Sequence, residues 1–186
     1  MTNHSTREPF QKAHDEIEYK WLLSGFPEVD FPNFIRIEQA YIKGQKHEIR
    51  IRKTVNQKGP AEFTVNAKKG LGLKRKELEY PINRQLYQIL LLVAQDYSLS
   101  KTRYFFVCNA GLKYEVDRYH GHLSGLCTME LELPSLDFNF EIPTVLDKYI
   151  IKNVTGDPAW LNSTLSNSQS PEFPQLEIDK LKDQPN

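Results

Sequence analysis

Along most of the chain apolar and polar residues alternate one for one, the period of a strand whose two faces meet different surroundings. This alternation predicts strands at about 15–23, 34–42, 47–55, 61–68, 74–82, 100–108, 112–119 and 126–133, bounded by turn signals such as Gly59-Pro60, Gly70, Asn109-Ala110-Gly111 and Gly121. Helical spacing is convincing only from Asn83 to Asp96, where Leu86, Ile89, Leu90 and Val93 recur on one side. A short helix is expected over about Val145–Val154, ending near Gly156. The fold class is therefore α+β, mainly antiparallel β, with a few flanking helices. The expected domain covers 14–162, after an N-terminal extension over 1–13. From 163 to 186 Ser, Asn, Pro and charge dominate, which reads as a polar, flexible tail whose Phe173, Leu176 and Leu181 could still dock.

A chain of 186 residues suits one domain, and 24 Lys+Arg against 24 Asp+Glu leave no net charge to drive adhesion to nucleic acid. The longest aliphatic run, Ile89–Ala94, is far short of a bilayer span, and Met1–His14 lacks an apolar signal core. The expectation is a cytoplasmic protein without a membrane or nucleic-acid partner; a homodimer is left open. Cys108 and Cys127 have neither CxxC spacing nor disulfide-framework density, so they read as reduced thiols.

Charge is unevenly placed. Lys43–Lys76 holds eleven Lys/Arg and two acids, whereas Glu115–Asp147 holds seven acids against Arg118 alone. Side chains i and i+2 of a strand share a face about 7 Å apart, so face-sharing sets can be read directly. Glu16, Glu18 and Lys20 oppose Ile17, Tyr19 and Trp21; Glu48, Arg50 and Arg52 oppose Ile49 and Ile51. Arg75, Glu77 and Glu79 alternate with Leu78 and Tyr80, Lys101 pairs with Arg103, Glu115 with Asp117, and Glu130 with Glu132.

One such face is ordinarily the wet side of an antiparallel sheet. Four i, i+2 carboxylate pairs and two basic pairs are different, because like charges this close repel unless neutralised. Carboxylate pairs accept hard divalent cations, and Arg/Lys pairs accept phosphate oxygens through charge-assisted hydrogen bonds. A sheet curled with these faces inward would be an inverted barrel that clamps a metal-bound polyphosphate. There is no GxxxxGK[ST] loop and no legible Ser/His/Asp or Cys/His arrangement. His120 and His122 form an HxH beside glycines in an expected turn, a weak metal signal.

These residues resemble the CYTH domain family, also called triphosphate tunnel metalloenzymes. Glu16-Ile17-Glu18-Tyr19-Lys20 is similar to the family's opening ExExK, and the other pairs follow in the family's order to about Leu165. Lys101-Thr102-Arg103-Tyr104, Gly121-His122-Leu123-Ser124 and Thr155-Gly156-Asp157 look like its short bacterial triphosphatase branch. The resemblance implies an eight-stranded closed tunnel barrel with a charged interior that binds triphosphates with Mg²⁺ or Mn²⁺, in two ions. It implies metal-side carboxylates at Glu16, Glu18, Glu130, Glu132, Glu115 and Asp117, and further tunnel acids at Glu77 and Glu79. Phosphate-binding positions would be Lys20, Arg50, Arg52, Lys68, Arg75, Lys101 and Arg103, with Lys69 an alternative to Lys68. Lys101 and Tyr41 match positions proposed for acid or base roles. The implied activity is metal-dependent hydrolysis of a triphosphate, inorganic tripolyphosphate first. The alternatives are an adenylate cyclase forming cyclic AMP and pyrophosphate, and a polyphosphate-binding module without turnover.

Overall fold

The computed structural model describes residues 13–43, 48–70, 72–94, 97–167 and 179. The extension over 1–12 and most of the tail expected after 163 lie outside the described residues. Each expected strand is present: β1 (His14–Leu23), β2 (Asn33–Lys43), β3 (Glu48–Asn56), β4 (Glu62–Lys69), β5 (Lys74–Pro81), β6 (Ser98–Val107), β7 (Lys113–Tyr119) and β8 (Cys127–Glu132). They pair antiparallel in the order β5-β4-β3-β2-β6-β7-β8-β1, and a β5–β1 pairing closes the sheet into an eight-stranded barrel.

Register brings opposite charges together across the inner face: Glu16 faces Arg75, Lys20 faces Glu130, Lys68 faces Glu77 and Arg103 faces Asp117. A one-residue slip would turn every one of these outward and the apolar face inward, so the register is strongly specified.

The outer face is the apolar one, and different elements cover its two sides. Helix α1 (Arg84–Ala94) lays Tyr87, Leu90, Leu91 and Ala94 over Ala40, Ile51, Phe63 and Val65 of β2, β3 and β4. Its start is fixed by Asn83, whose Oδ1 accepts from the Leu86 N–H at 2.8 Å. On the other side Ile17, Trp21, Val116, Met129 and Leu131 are covered by Phe26, Phe31, Phe140 and Ile142. Of the expected flanking helices, α1 thus covers one side of the barrel, and on the other side loops and the short turn carrying Leu146 do so.

A second correction concerns 145–154. Only Thr144–Asp147 is helical (α2), and Ile150–Asn153 forms a ninth strand, β9. The reason lies in β1, which pairs with β5 only as far as Ile17 and then offers a free edge at Trp21–Leu23, where β9 adds. A last short helix, α3 (Asn162–Leu165), carries the packed body just past the expected boundary, since Leu165 and Ser166 are buried.

Candidate active site

Inside the barrel lies a chamber of about 580 Å³, lined among others by Glu16, Glu18, Lys20, Tyr41, Arg50, Arg52, Lys68, Arg75, Glu77, Glu79, Arg103, Glu115, Glu130 and Glu132. That size is ordinary for a small-molecule site, but the lining is charged where such sites are mostly apolar.

Nearly every base is matched by acids. Lys68 Nζ stands 2.7 Å from Glu16 and 3.3 Å from Glu77, which sets it among the inward acids, while Lys69 is exposed and also lines the chamber. Arg75 reaches Glu16 at 3.2 Å and Glu18 at 3.1 Å, Lys20 reaches Glu130 at 3.1 Å, and Arg50 reaches Glu77 and Glu79, both at 3.4 Å. Arg103 donates to both Asp117 oxygens, at 2.8 and 2.7 Å, and pairs with Glu115 and Glu130.

Arg52 is the exception. Among the described residues it has no ion pair, and its Nε has no hydrogen-bond partner. Loss of water, followed by the charges of Arg50 and Arg103, pulls its guanidinium down to about 10. Three arginines thus converge where one lacks an anion.

The acids show the complementary tension. Burial, then the neighbouring Glu18, pushes Glu16 up to about 7, and burial followed by Glu130 raises Glu18. Burial would raise Glu77 as well, but its bond to Glu16 and the charges of Lys68 and Arg50 prevail and bring it down to about 2. Glu16 and Glu77 are thus shifted in opposite directions, although Lys68 bridges them and donates to both Glu16 oxygens. Among the described residues no three acidic, His or Cys side chains form a ready-made metal cage, because the tunnel bases already occupy these carboxylates.

Two expected site residues do not reach the chamber. The side chains of Lys101 and Asp117 are wholly inaccessible and pair with each other behind Arg103. Desolvation, then Arg103, lowers Lys101 to about 8. Tyr41 does line the chamber, with its hydroxyl accepting from Gln39 Nε2 at 2.6 Å. His120 and His122 stand elsewhere: His120 Nε2 bonds Thr102 Oγ1 at 2.8 Å and His122 lies 3.4 Å from the Leu165 carbonyl. Asn66 was not singled out in the sequence, yet it is buried and donates to Glu77. Its place two residues before Lys68 on β4 was the available signal.

No family model matches the chain. It is 33% identical over 160 residues to an inorganic triphosphatase of Acetivibrio thermocellus, covering 85% of this chain and 97% of that protein. Against an inorganic triphosphatase of Nitrosomonas europaea it is 31% identical over 122 residues, covering 66% of this chain and 78% of that protein. A crystal structure of an inorganic triphosphatase superposes with a TM-score of 0.59 at 27% identity, covering 83% of this chain and 96% of that one.

Proposed function

Because the chain belongs to the inorganic triphosphatases of the CYTH, or triphosphate tunnel, family, we propose that it hydrolyses a triphosphate in the charged chamber, with inorganic tripolyphosphate as the first substrate and a divalent cation, Mg²⁺ or Mn²⁺, as cofactor. The observation that carries this reading is Arg52, which has no ion pair among the described residues and feels the charges of both Arg50 and Arg103. An unpaired cation beside two others is unfavourable in the empty protein and favourable once a phosphoryl group takes up the donors.

The carboxylates fit a hard cation. Glu16 and Glu18 are oxygen donors whose ionisation is opposed by burial and by neighbouring carboxylates, a tension that a divalent ion relieves, whereas Lys101, Lys20 and Arg103 outweigh burial and hold Glu130 ionised. Glu16, Glu18, Glu130 and Glu132 would hold it, with Glu115 beside them; two ions are the expected number. When bound, such an ion draws charge from phosphate oxygens and lowers the pKa of a coordinated water.

The protein's own groups do the rest. Arg52 receives the oxygens of the phosphoryl under attack, and Arg50, Arg75, Lys20 and Lys68 exchange carboxylate contacts for phosphate ones as the substrate enters. Arg103 is fixed by its two bonds to Asp117, and Asp117 is fixed in turn by Lys101. Lys101 is accordingly a positioning residue rather than a proton donor to the leaving group. Tyr41 is the acid–base candidate whose side chain lines the chamber.

The test is phosphate release from tripolyphosphate, ATP and thiamine triphosphate with Mg²⁺ or Mn²⁺, with cyclic AMP followed in parallel. Release from tripolyphosphate without cyclic AMP supports hydrolysis; cyclic AMP and pyrophosphate from ATP would replace it with the cyclase reading.

A further inference from the structure

The charged interior does not run the length of the barrel. Beyond the charged positions the same inward faces turn apolar: Leu22 lies two residues after Lys20, Leu99 two before Lys101 and Tyr119 two after Asp117, while Thr128 intervenes between Glu130 and Leu126. With Leu123, Val154, Trp160 and Leu165 these form one buried cluster, a floor under the β6-β7-β8-β1 side of the chamber.

The segment from Val154 to Asn162 lies on this floor and is pinned along its length. The Val154 N–H donates to the Lys20 carbonyl at 2.9 Å, and the Lys20 N–H donates to Thr155 Oγ1 at 2.9 Å. Gly156, at φ +69°, rests on Gly72 so closely that a Cβ there would stand 2.7 Å from the Gly72 Cα. Trp160 is buried in the floor itself. The segment ends at Asn162, which lines the chamber.

Tyr119 decides which way Asn162 faces. Its ring is buried in the floor, and its hydroxyl donates to Asn162 Oδ1 at 2.6 Å. A buried hydroxyl needs an acceptor, and an amide offers one only through its oxygen. With Oδ1 held, Nδ2 is turned away from Tyr119, and among the described residues it has no partner. The chamber's other donors are nearly all charged and already paired; this one is neutral and unengaged.

Resting on the triphosphatase reading above, we propose that Asn162 is a substrate-binding residue whose Nδ2–H group, oriented by Tyr119, donates to the phosphoryl group that reaches the floor of the chamber. On the β6-β7-β8-β1 side the floor is filled by side chains and leaves no room for an organic substituent beyond that phosphoryl. An organic substituent would lie toward the opposite mouth, where His14, Glu115 and Glu132 stand near the other ends of β1, β7 and β8.

Asn162→Asp keeps an acceptor for Tyr119 but replaces the donor with a carboxylate. It raises KM for tripolyphosphate at least tenfold, more than it lowers kcat, with an unchanged melting temperature; Asn162→Ala raises KM by about tenfold, the size of one charge-assisted hydrogen bond. Tyr119→Phe raises KM in the wild-type background and adds nothing to Asn162→Ala, the signature of a residue acting through Asn162. Calorimetric titration with tripolyphosphate in EDTA gives a second readout, in which Asn162→Asp weakens binding by a like factor. Equal binding and equal KM in wild type and Asn162→Asp would overturn the assignment. Wild-type binding without turnover would contradict the triphosphatase reading alone, and absence of wild-type binding would overturn both.

Discussion

The upper and lower parts of the barrel interior are built by the same strands and solve opposite problems. In the chamber, Lys20, Lys68, Arg75 and Glu16 are held in place by mutual charge. In the floor, Leu22, Leu99, Leu126 and Trp160 exclude water and hold one arrangement. Between them Lys101 and Asp117 form a pair closed to solvent on every side, charged like the chamber and fixed like the floor. An inverted barrel thus keeps a soft, charged site rigid by placing a small core at one end of it.

Breaking the boundary pair gives the largest loss. Asp117→Ala strands Lys101 and one side of Arg103, and removing one partner of a buried pair typically costs about 3–5 kcal/mol. In a chain of this size that lowers the melting temperature by roughly ten degrees or more in a thermal scan. Lys101→Met, which removes a buried charge but leaves Arg103 on Asp117, should cost distinctly less; equal losses would show that the pair does not act through Arg103.

In the floor, Leu22→Ala removes a fully buried side chain and should cost about 2–5 kcal/mol. Arg52→Ala in the chamber should behave in the opposite sense, leaving the melting temperature unchanged or higher while lowering kcat/KM on tripolyphosphate by roughly a hundredfold or more. A marked loss of stability in Arg52→Ala would mean that Arg52 has an anionic partner in the folded protein. Gly156→Ala meets both the positive φ and the Gly72 backbone and should cost on the order of 1–3 kcal/mol.

The smallest effect is the pH dependence of the metal-free protein. Glu77, brought down to about 2, adds stability above its unfolded pKa that is lost as pH falls from about 4.5 toward 2. Glu16, raised to about 7, acts in reverse: the folded state holds its proton longer than the unfolded one, so stability declines as pH rises from about 4.5 to 7. Denaturant midpoints in EDTA should therefore fall on both sides of the carboxylate range. In Glu16→Gln the decline on the alkaline side should disappear.

Alternation made the eight strands legible, and in the six with face-sharing charged residues it also gave the inward sets, because the other face packs under α1 or the aromatic loops. It gave faces but not depth. Asp117 and Lys101 share a face with Glu115 and Arg103, and only the closed barrel shows that the first two lie below the chamber. The floor escaped for the same reason, since Leu22, Leu99 and Leu126 read as apolar strand ends rather than as the continuation of the charged rows. β9 escaped because four residues after a helical turn carry little pattern, and their pairing depends on where β1 leaves β5.

The most direct test of the central claim is a crystal structure of the protein with tripolyphosphate bound. Phosphate oxygens within hydrogen-bond distance of Arg52, Arg50 and Arg103, with the chain ending above Tyr119 and Trp160, are the predicted result. A triphosphate bound outside the barrel, or a chamber in which Arg52 stays unengaged, would contradict it.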